Sequence, residues 1–238
     1  MPYFYHASLT PDAAELQFPP EEARHIRRVF RTREGTQISV TNGAGLLALA
    51  SVEYRNGEVW CRIQKVWEMP CRTRQRITIA FSIIRPNRMD WAVEKLTELG
   101  VTTIQPLRCR YTTIRTFKTD HLRKVAISAM KQSEQTYLPQ IQPPMELSHW
   151  LDSRQVSTIP RRYLAHLSEN AMPFIRQFPS SGVEAVIAIG PEGGFSEAEI
   201  EQLVAREFIP VKLSAHILRT ETAAVIAAGY LTCPSTET

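Results

Sequence analysis

No stretch of this chain approaches the ~20 consecutive apolar residues that a membrane-spanning helix needs, so no membrane partner is expected. Cysteine is scarce. The four present, Cys61, Cys71, Cys109 and Cys233, lie far apart, with no Cys-x-x-Cys pair and no Cys/His ligand spacing. A disulfide framework and a metal site are therefore not expected, and a reducing cytoplasm fits best. The start, Met1-Pro2-Tyr3-Phe4-Tyr5-His6, lacks a cationic segment followed by an apolar run, so no secretory signal is expected. Internal repeats and low-complexity tracts are missing too. Charge of one sign is not in large excess: 28 Lys and Arg against 24 Asp and Glu leave +4. That balance singles out no polyanionic partner, and what counts is where the arginines lie.

What is present suits an ordinary globular protein. Of 238 residues, 43% are hydrophobic and 22% charged, enough for a core without staples. The length fits one large domain or two ordinary ones. The chain changes character near Met69-Pro70. Before it, short alternating runs (37–41, 46–54 and 58–66) are joined by Asn42-Gly43-Ala44-Gly45 and Asn56-Gly57. Asn-Gly between such runs signals a hairpin. Residues 1–70 are thus expected to form a small antiparallel barrel or sheet with one helical insert, 20 to about 31. Residues 71–75 read as a linker, and 76–238 as a second domain.

In the second domain strands and helices alternate. Residues 77–84 form a continuous apolar strand. Asn87, with Asp90 three residues on, offers a capping box for a helix that Gly100 closes. Met89, Ala92, Val93, Leu96 and Leu99 keep helical spacing as its buried face. Strands are expected at 101–107, 163–166, 183–189 and 210–213. Helices are expected at about 120–135, from Ser196 with its capping partner Glu199 to about 206, and from Thr220 onward. About five parallel strands with helices between them make an α/β domain.

Four segments carry chemistry. Gly190-Pro191-Glu192-Gly193-Gly194 follows a buried strand and precedes a capped helix, and its glycines let main chain approach a ligand. It is neither Gly-x-Gly-x-x-Gly nor a P-loop, and Glu197, Glu199 and Glu201 follow, so a ligand without phosphates is favoured. A tight turn needing glycine for geometry alone is the plain alternative. Next comes Leu218-Arg219-Thr220-Glu221-Thr222. Thr220 or Thr222 can cap the helix, and Glu221 suits its dipole. Arg219 sits where that dipole disfavours a cation, which points to a partner or a substrate role. Third, Arg24, Arg27, Arg28 and Arg31 flank an apolar helical face of Ile26, Val29 and Phe30, either a nucleic-acid footprint or a solvated basic face. Fourth, Arg85 and Arg88, with Arg108, Arg110 and Arg115, place cations at strand carboxyl ends. His166 follows a strand expected to neighbour the one ending at Ile189.

Ile189-Gly190-Pro191-Glu192-Gly193-Gly194-Phe195-Ser196 followed by Ile217-Leu218-Arg219-Thr220-Glu221-Thr222-Ala223 resembles the signature pair of the bacterial 16S ribosomal RNA uridine-N3 methyltransferases, of the SPOUT superfamily. The likeness runs over nearly the whole chain, including Arg88-Met89-Asp90-Trp91 with Lys95, Glu98, Leu99 and Gly100, and the 25–31 segment. The resemblance implies a trefoil-knotted parallel-sheet domain binding S-adenosylmethionine, preceded by a PUA-like β-barrel that helps hold RNA. It implies a homodimer acting on one uridine of small-subunit ribosomal RNA or the small ribosomal subunit. Cofactor contacts would come from His166, Ile189, Gly190, Pro191, Gly193, Gly194, Leu213, Leu218, Thr220, Thr222 and Ala223. Arg219 would stabilise the uracil anion, and Glu221 would accept the proton or orient a neighbour. Arg24, Arg27, Arg28, Arg31, Arg85 and Arg88 would meet RNA. Three departures from the family pattern stand out. Leu213-Ser214 replaces Leu-Gly, Arg85-Pro86-Asn87 replaces Lys-Gly-Asp, and 130–135 keeps Gln132 and Ser133 of a Glu-Gln-Ser/Cys run but lacks its acid and arginine. Activity on another RNA or base position, or a non-catalytic role in RNA binding or ribosome assembly, are the alternatives.

Overall fold

Two Asn-Gly turns organise the amino-terminal sheet of the chain. In this computed structural model, residues 2–30, 34–71, 76–114, 116–168, 171–177 and 183–233 are described. Arg31, Arg115, Glu169, linker residues 72–75 and the side chains of Val29 and Phe30 lie outside the described residues. The chain divides into two units, Met1–Arg72 with Ile127–Leu138, and Thr73–Ala126 with Pro139–Thr238.

The first unit runs β1 (Tyr3–Tyr5), β2 (Glu15–Gln17), α1 (Pro20–Phe30), β3 (Gln37–Thr41), β4 (Leu46–Arg55) and β5 (Glu58–Glu68). Its five strands pair in the order β1-β3-β4-β5-β2. The Asn42 carboxamide oxygen accepts from Ala44 N at 2.8 Å and Leu46 N at 3.1 Å, folding β3 back on β4. Asn56 and Gly57 both take positive φ, 50° and 80°, the backbone of a type I′ hairpin turn. The expectation of a purely antiparallel sheet is corrected at one edge, where β1 pairs with β3 in parallel. A three-residue strand carries too little alternation to show its direction. Phe4, Ile26, Ile38, Val40 and Val59 are fully buried at the centre. The last segment of this unit is tied in by Lys131, whose ammonium lies 2.8 Å from the Glu22 carboxylate, and by Tyr137, whose hydroxyl donates to Met69 O at 2.9 Å.

Half-buried His25 lies beside the Phe4 ring. Its pKa is held below the ordinary 6.5 by burial first, then by the Lys131 ammonium, while Glu22 pulls it up and Arg28 pushes it further down. As pH falls below about 6.5 the unfolded chain therefore takes up this proton before the folded one does. Stability from this source is complete above 6.5 and is lost as pH drops through the folded value. In urea titrations, His25→Gln should lose less stability than wild type between about pH 7.5 and about pH 5.5. Equal losses would exonerate His25.

The second unit opens with β6 (Ile77–Ser82), α2 (Pro86–Glu98) and β7 (Thr103–Arg108), and α3 (Thr119–Gln132) then leads back to the first unit. There follow β8 (Gln140–Ile141), β9 (Met145–Glu146), α4 (Leu147–Leu151), α5 (Arg154–Ser157), β10 (Arg161–Ala165) and β11 (Met172–Pro173). After them come β12 (Ala185–Ile189), α6 (Glu197–Ala205), β13 (Ile209–Lys212) and α7 (Thr220–Thr232). The sheet order is β11-β13-β10-β12-β6-β7-β8, with β9 also on β7, and the pairings are parallel. Strand β12, Ala-Val-Ile-Ala-Ile, is buried at every position, as a central parallel strand covered on both faces must be. On one face Ala80, Leu164, Val186 and Ala188 join a cluster with Trp150, Leu151, Leu203 and Phe208. Alternation sends Ile77, Ile79 and Ile187 to the other. Helix α7 lies against α2, β6 and β12, a close approach allowed by buried Ala223, Ala224, Ala227 and Ala228.

Helix α2 starts differently from the expectation. Arg85 is its N-cap, Pro86 occupies the first turn, and no side chain caps it. Proline presets the φ of a first helical residue, so the helix begins before Asn87, and Asp90 is left to meet His121 at 2.9 Å. Met89, Ala92, Val93 and Leu96 are buried as the spacing requires, with Thr97; Leu99 is half-buried. Gly100, at φ 77°, ends the helix. All four cysteines are free. Burial pushes the thiols of Cys61 and Cys109 up to about 12, which leaves them protonated and inert. Among the described residues no helix is long and apolar enough to cross a membrane.

Candidate active site

Three neighbouring strands end level with one another. Ala165 of β10 is in register with Ile189 of β12 and with Val211 of β13. The chain therefore leaves the sheet three times at one edge, where parallel sheets place their ligands. The emerging loops wall a cavity of about 290 Å³. His166 stands on one side. Ile189, Gly190, Pro191, Gly193 and Gly194 form another, and Leu213, Leu218, Thr220 and Ala223 close the third. Thr222, expected with them, does not line it. At about 100° per residue it lies some 200° round α7 from Thr220. Ser214, His216 and Ile217, within the 213–218 stretch expected to hold the cofactor, also line the cavity. Sequence reasoning passed over Ala165, Leu167, Phe195 and Val211, which line it too; Ala165 and Val211 could have been found as residues at the carboxyl ends of the strands whose loops were singled out.

The glycine loop folds back on itself. Gly194 N donates to Pro191 O at 2.8 Å, and Gly194 has φ 75°. A Cβ at Gly190 would stand 3.1 Å from main-chain atoms of Gly194 and Phe195, and one at Gly193 would stand 3.4 Å from Tyr111 Cβ. Ser196 and Glu199 form the expected capping box of α6. Glu199 also accepts from Arg110 N at 2.7 Å, tying this loop to the one after β7. The Thr220 hydroxyl donates to Gly190 O at 2.9 Å. This corrects the capping expectation, since α7 has Arg219 as N-cap and no side-chain cap. The Thr220 bond joins the two loops instead. Ser214, where glycine was expected, needs no left-handed backbone, because its φ is not positive. Its hydroxyl oxygen accepts from His216 N at 3.1 Å and shapes the bend itself.

Charged groups flank the cavity. Arg219 is exposed between two lining residues, Leu218 and Thr220, and its side chain bonds to nothing among the described residues. Glu221 is 7% exposed and does not line the cavity. One of its oxygens lies 3.5 Å from Arg88 Nε; the other is buried without a hydrogen-bond partner among the described residues. Arg88 also pairs with Glu192 of the glycine loop. Of the cations expected to meet RNA, Arg88 is thus already engaged by two carboxylates, a long-range pairing that local pattern could not reveal. Arg85 is exposed and unpaired among the described residues. In the first unit, Arg24 and Arg28 are exposed, Arg24 donating to Pro20 O at 3.3 Å. Half-buried Arg27 donates to Gly57 O. No cluster of three or more His, Cys, Asp or Glu side chains able to hold a metal occurs among the described residues.

Residues 71–232 match the RNA methyltransferase domain family, and residues 18–64 match the RNA methyltransferase PUA domain. The chain belongs to this family. Among RNA methyltransferase relatives, the ribosomal RNA small subunit methyltransferase E of Buchnera aphidicola from Acyrthosiphon pisum is 27% identical over 236 residues, covering 91% of this chain and 87% of its own. A probable rRNA-methyltransferase from Porphyromonas gingivalis superposes with TM-score 0.85 at 31% identity, covering 97% of each chain. A ribosomal RNA small subunit methyltransferase E from Neisseria gonorrhoeae, bound to S-adenosyl methionine, superposes with TM-score 0.84 at 28% identity, covering 96% of this chain and 95% of that one.

Proposed function

We propose that this RNA methyltransferase transfers a methyl group from S-adenosylmethionine to N3 of one uridine in 16S, small-subunit ribosomal RNA. The observation that carries the reading is the charge of the cavity. Among the described residues no lysine or arginine lines it, and Glu192 is its one charged side chain apart from the titratable histidines. Because Glu192 is itself paired with Arg88, a lining without lysine or arginine gives a polyphosphate no counter-charge and leaves a cationic sulfonium unopposed. Its volume, about 290 Å³, sits near the ~300 Å³ lower end of small-molecule pockets. Main-chain groups of 190–194 offer hydrogen bonds to an adenine edge, and Leu213, Ile217 and Leu218 offer apolar surface to its ring.

When bound, S-adenosylmethionine supplies an electrophilic methyl group. The protein's own task is to make uracil N3 nucleophilic. That nitrogen carries a proton at neutral pH, and losing it spreads negative charge over N3 and the flanking carbonyl oxygens. Arg219, free beside the cavity, stabilises that anion and so lowers the cost of passing the proton to solvent water. Of the two roles open to Glu221, its burial off the cavity favours orienting a neighbour over accepting the proton. His166 closes the third side. The basic face of α1 holds the RNA backbone together with Arg85. The second unit is trefoil-knotted, two copies form the working dimer, and the enzyme acts in the cytoplasm.

Mass-spectrometric mapping of ribosomal RNA from a deletion strain, before and after addition of the purified protein, tests the reading. One uridine of the small-subunit RNA should gain N3-methylation on addition. Methylation of another base, of another RNA, or of nothing would overturn it.

A further inference from the structure

Arg88 stands where three segments remote in sequence meet. It lies in the first turn of α2, Glu192 projects from the glycine loop, and Glu221 opens α7. Exposure falls steeply across the trio: the side chain of Glu192 is 65% exposed, that of Arg88 28% and that of Glu221 9%. Glu221 therefore keeps a carboxylate largely out of water with one oxygen unbonded. A buried carboxylate in that state is costly unless a cation stands against it. Among the described residues, the strands packed on α7 offer none. Strands β6 and β12 carry no ionisable side chain. Further along α2, Asp90 is met by His121, while Glu94 and Glu98 share Lys95. Arg219 is exposed.

We infer that Arg88 is a positioning residue, a latch that fixes the glycine loop through Glu192 to the start of α7 through Glu221, setting two cavity walls before any ligand arrives. The inference rests on the cofactor reading above for its purpose, but not for its geometry. The Glu192 arm is exposed, so it adds little to global stability. Its effect falls on the loop, where ordering in the binding conformation lowers the cost of capture. The bond from Thr220 to Gly190 O holds the base of the same loop; Arg88 holds its tip.

The test compares wild type, Arg88→Gln and Glu192→Gln without ligand, by hydrogen exchange of the 190–196 amides. Both variants should exchange faster there, while β12 keeps its protection. Calorimetry with S-adenosylmethionine should then show Kd rising on the order of tenfold in Arg88→Gln, whose side chain does not line the cavity. Glu192→Gln alters only an exposed side chain, so it decides the matter even if Arg88→Gln folds poorly. Wild-type exchange at 190–196 in Glu192→Gln overturns the latch. If wild type itself fails to bind S-adenosylmethionine, the cofactor reading falls, and the ligand-free exchange still decides whether the latch exists.

Discussion

Arg219→Ala should lower kcat for methyl transfer by about 10²–10³-fold, the loss typical of removing one donor from a developing anion. The structure separates this from a folding defect. The Arg219 side chain is exposed, bonds to nothing among the described residues and sits at the N-cap of α7. A cation there opposes the helix dipole, so its removal should leave the thermal midpoint unchanged or slightly higher. Binding of S-adenosylmethionine should stay within a few-fold of wild type, because Arg219 does not line the cavity. Arg219→Lys should recover part of the rate, since it restores charge but not the planar fork. Wild-type turnover in the alanine variant would remove Arg219 from the mechanism.

Gly190→Ala should damage capture of the methyl donor. Its φ is not among the positive ones, so alanine brings no left-handed strain. The obstacle is space: the new Cβ would sit 3.1 Å from Gly194 C, Phe195 N and Phe195 Cδ2. Two of those are main chain, so the loop itself must shift, at a cost of about 1–3 kcal/mol for an overpacked site. The same shift pulls Gly190 O away from the Thr220 hydroxyl. The expected result is a Kd for S-adenosylmethionine raised about tenfold or more, read by calorimetry, with far-UV circular dichroism unchanged. Gly193→Ala is the control. Its Cβ makes only ordinary contact, 3.4 Å from Tyr111 Cβ, and it should bind within a few-fold of wild type. Equal binding by Gly190→Ala would mean that the loop does not carry the ligand.

Much of this architecture is legible from local pattern because local physics sets it. Asn56-Gly57 reads as a hairpin because both residues tolerate positive φ, and both adopt it. Ser196 and Glu199 read as a capping box because each can satisfy the other's main chain, and each does. Buried runs such as Ala185–Ile189 have no polar face and so belong inside a parallel sheet. What escaped depends on distance. β1 takes its direction from β3, and the two-residue strands β8, β9 and β11 exist only through their neighbours. The Arg88–Glu192 pairing spans 104 residues, and the Thr220 hydroxyl prefers a carbonyl thirty residues back to its own helix. Side-chain choice between partners is a tertiary decision, and a single sequence does not print it.

The segment Ile127–Leu138 belongs to the first unit, and it is bound there at several points. Lys131 meets Glu22, Gly45 N donates to Thr136 O at 2.9 Å, and Leu138 N donates to Gly43 O at 2.8 Å. As the nascent chain leaves the ribosome, the amino-terminal sheet therefore waits for residues 73–126 of the next domain to be translated before its last ties can form. A fragment cut at the apparent linker would lack that clasp from birth.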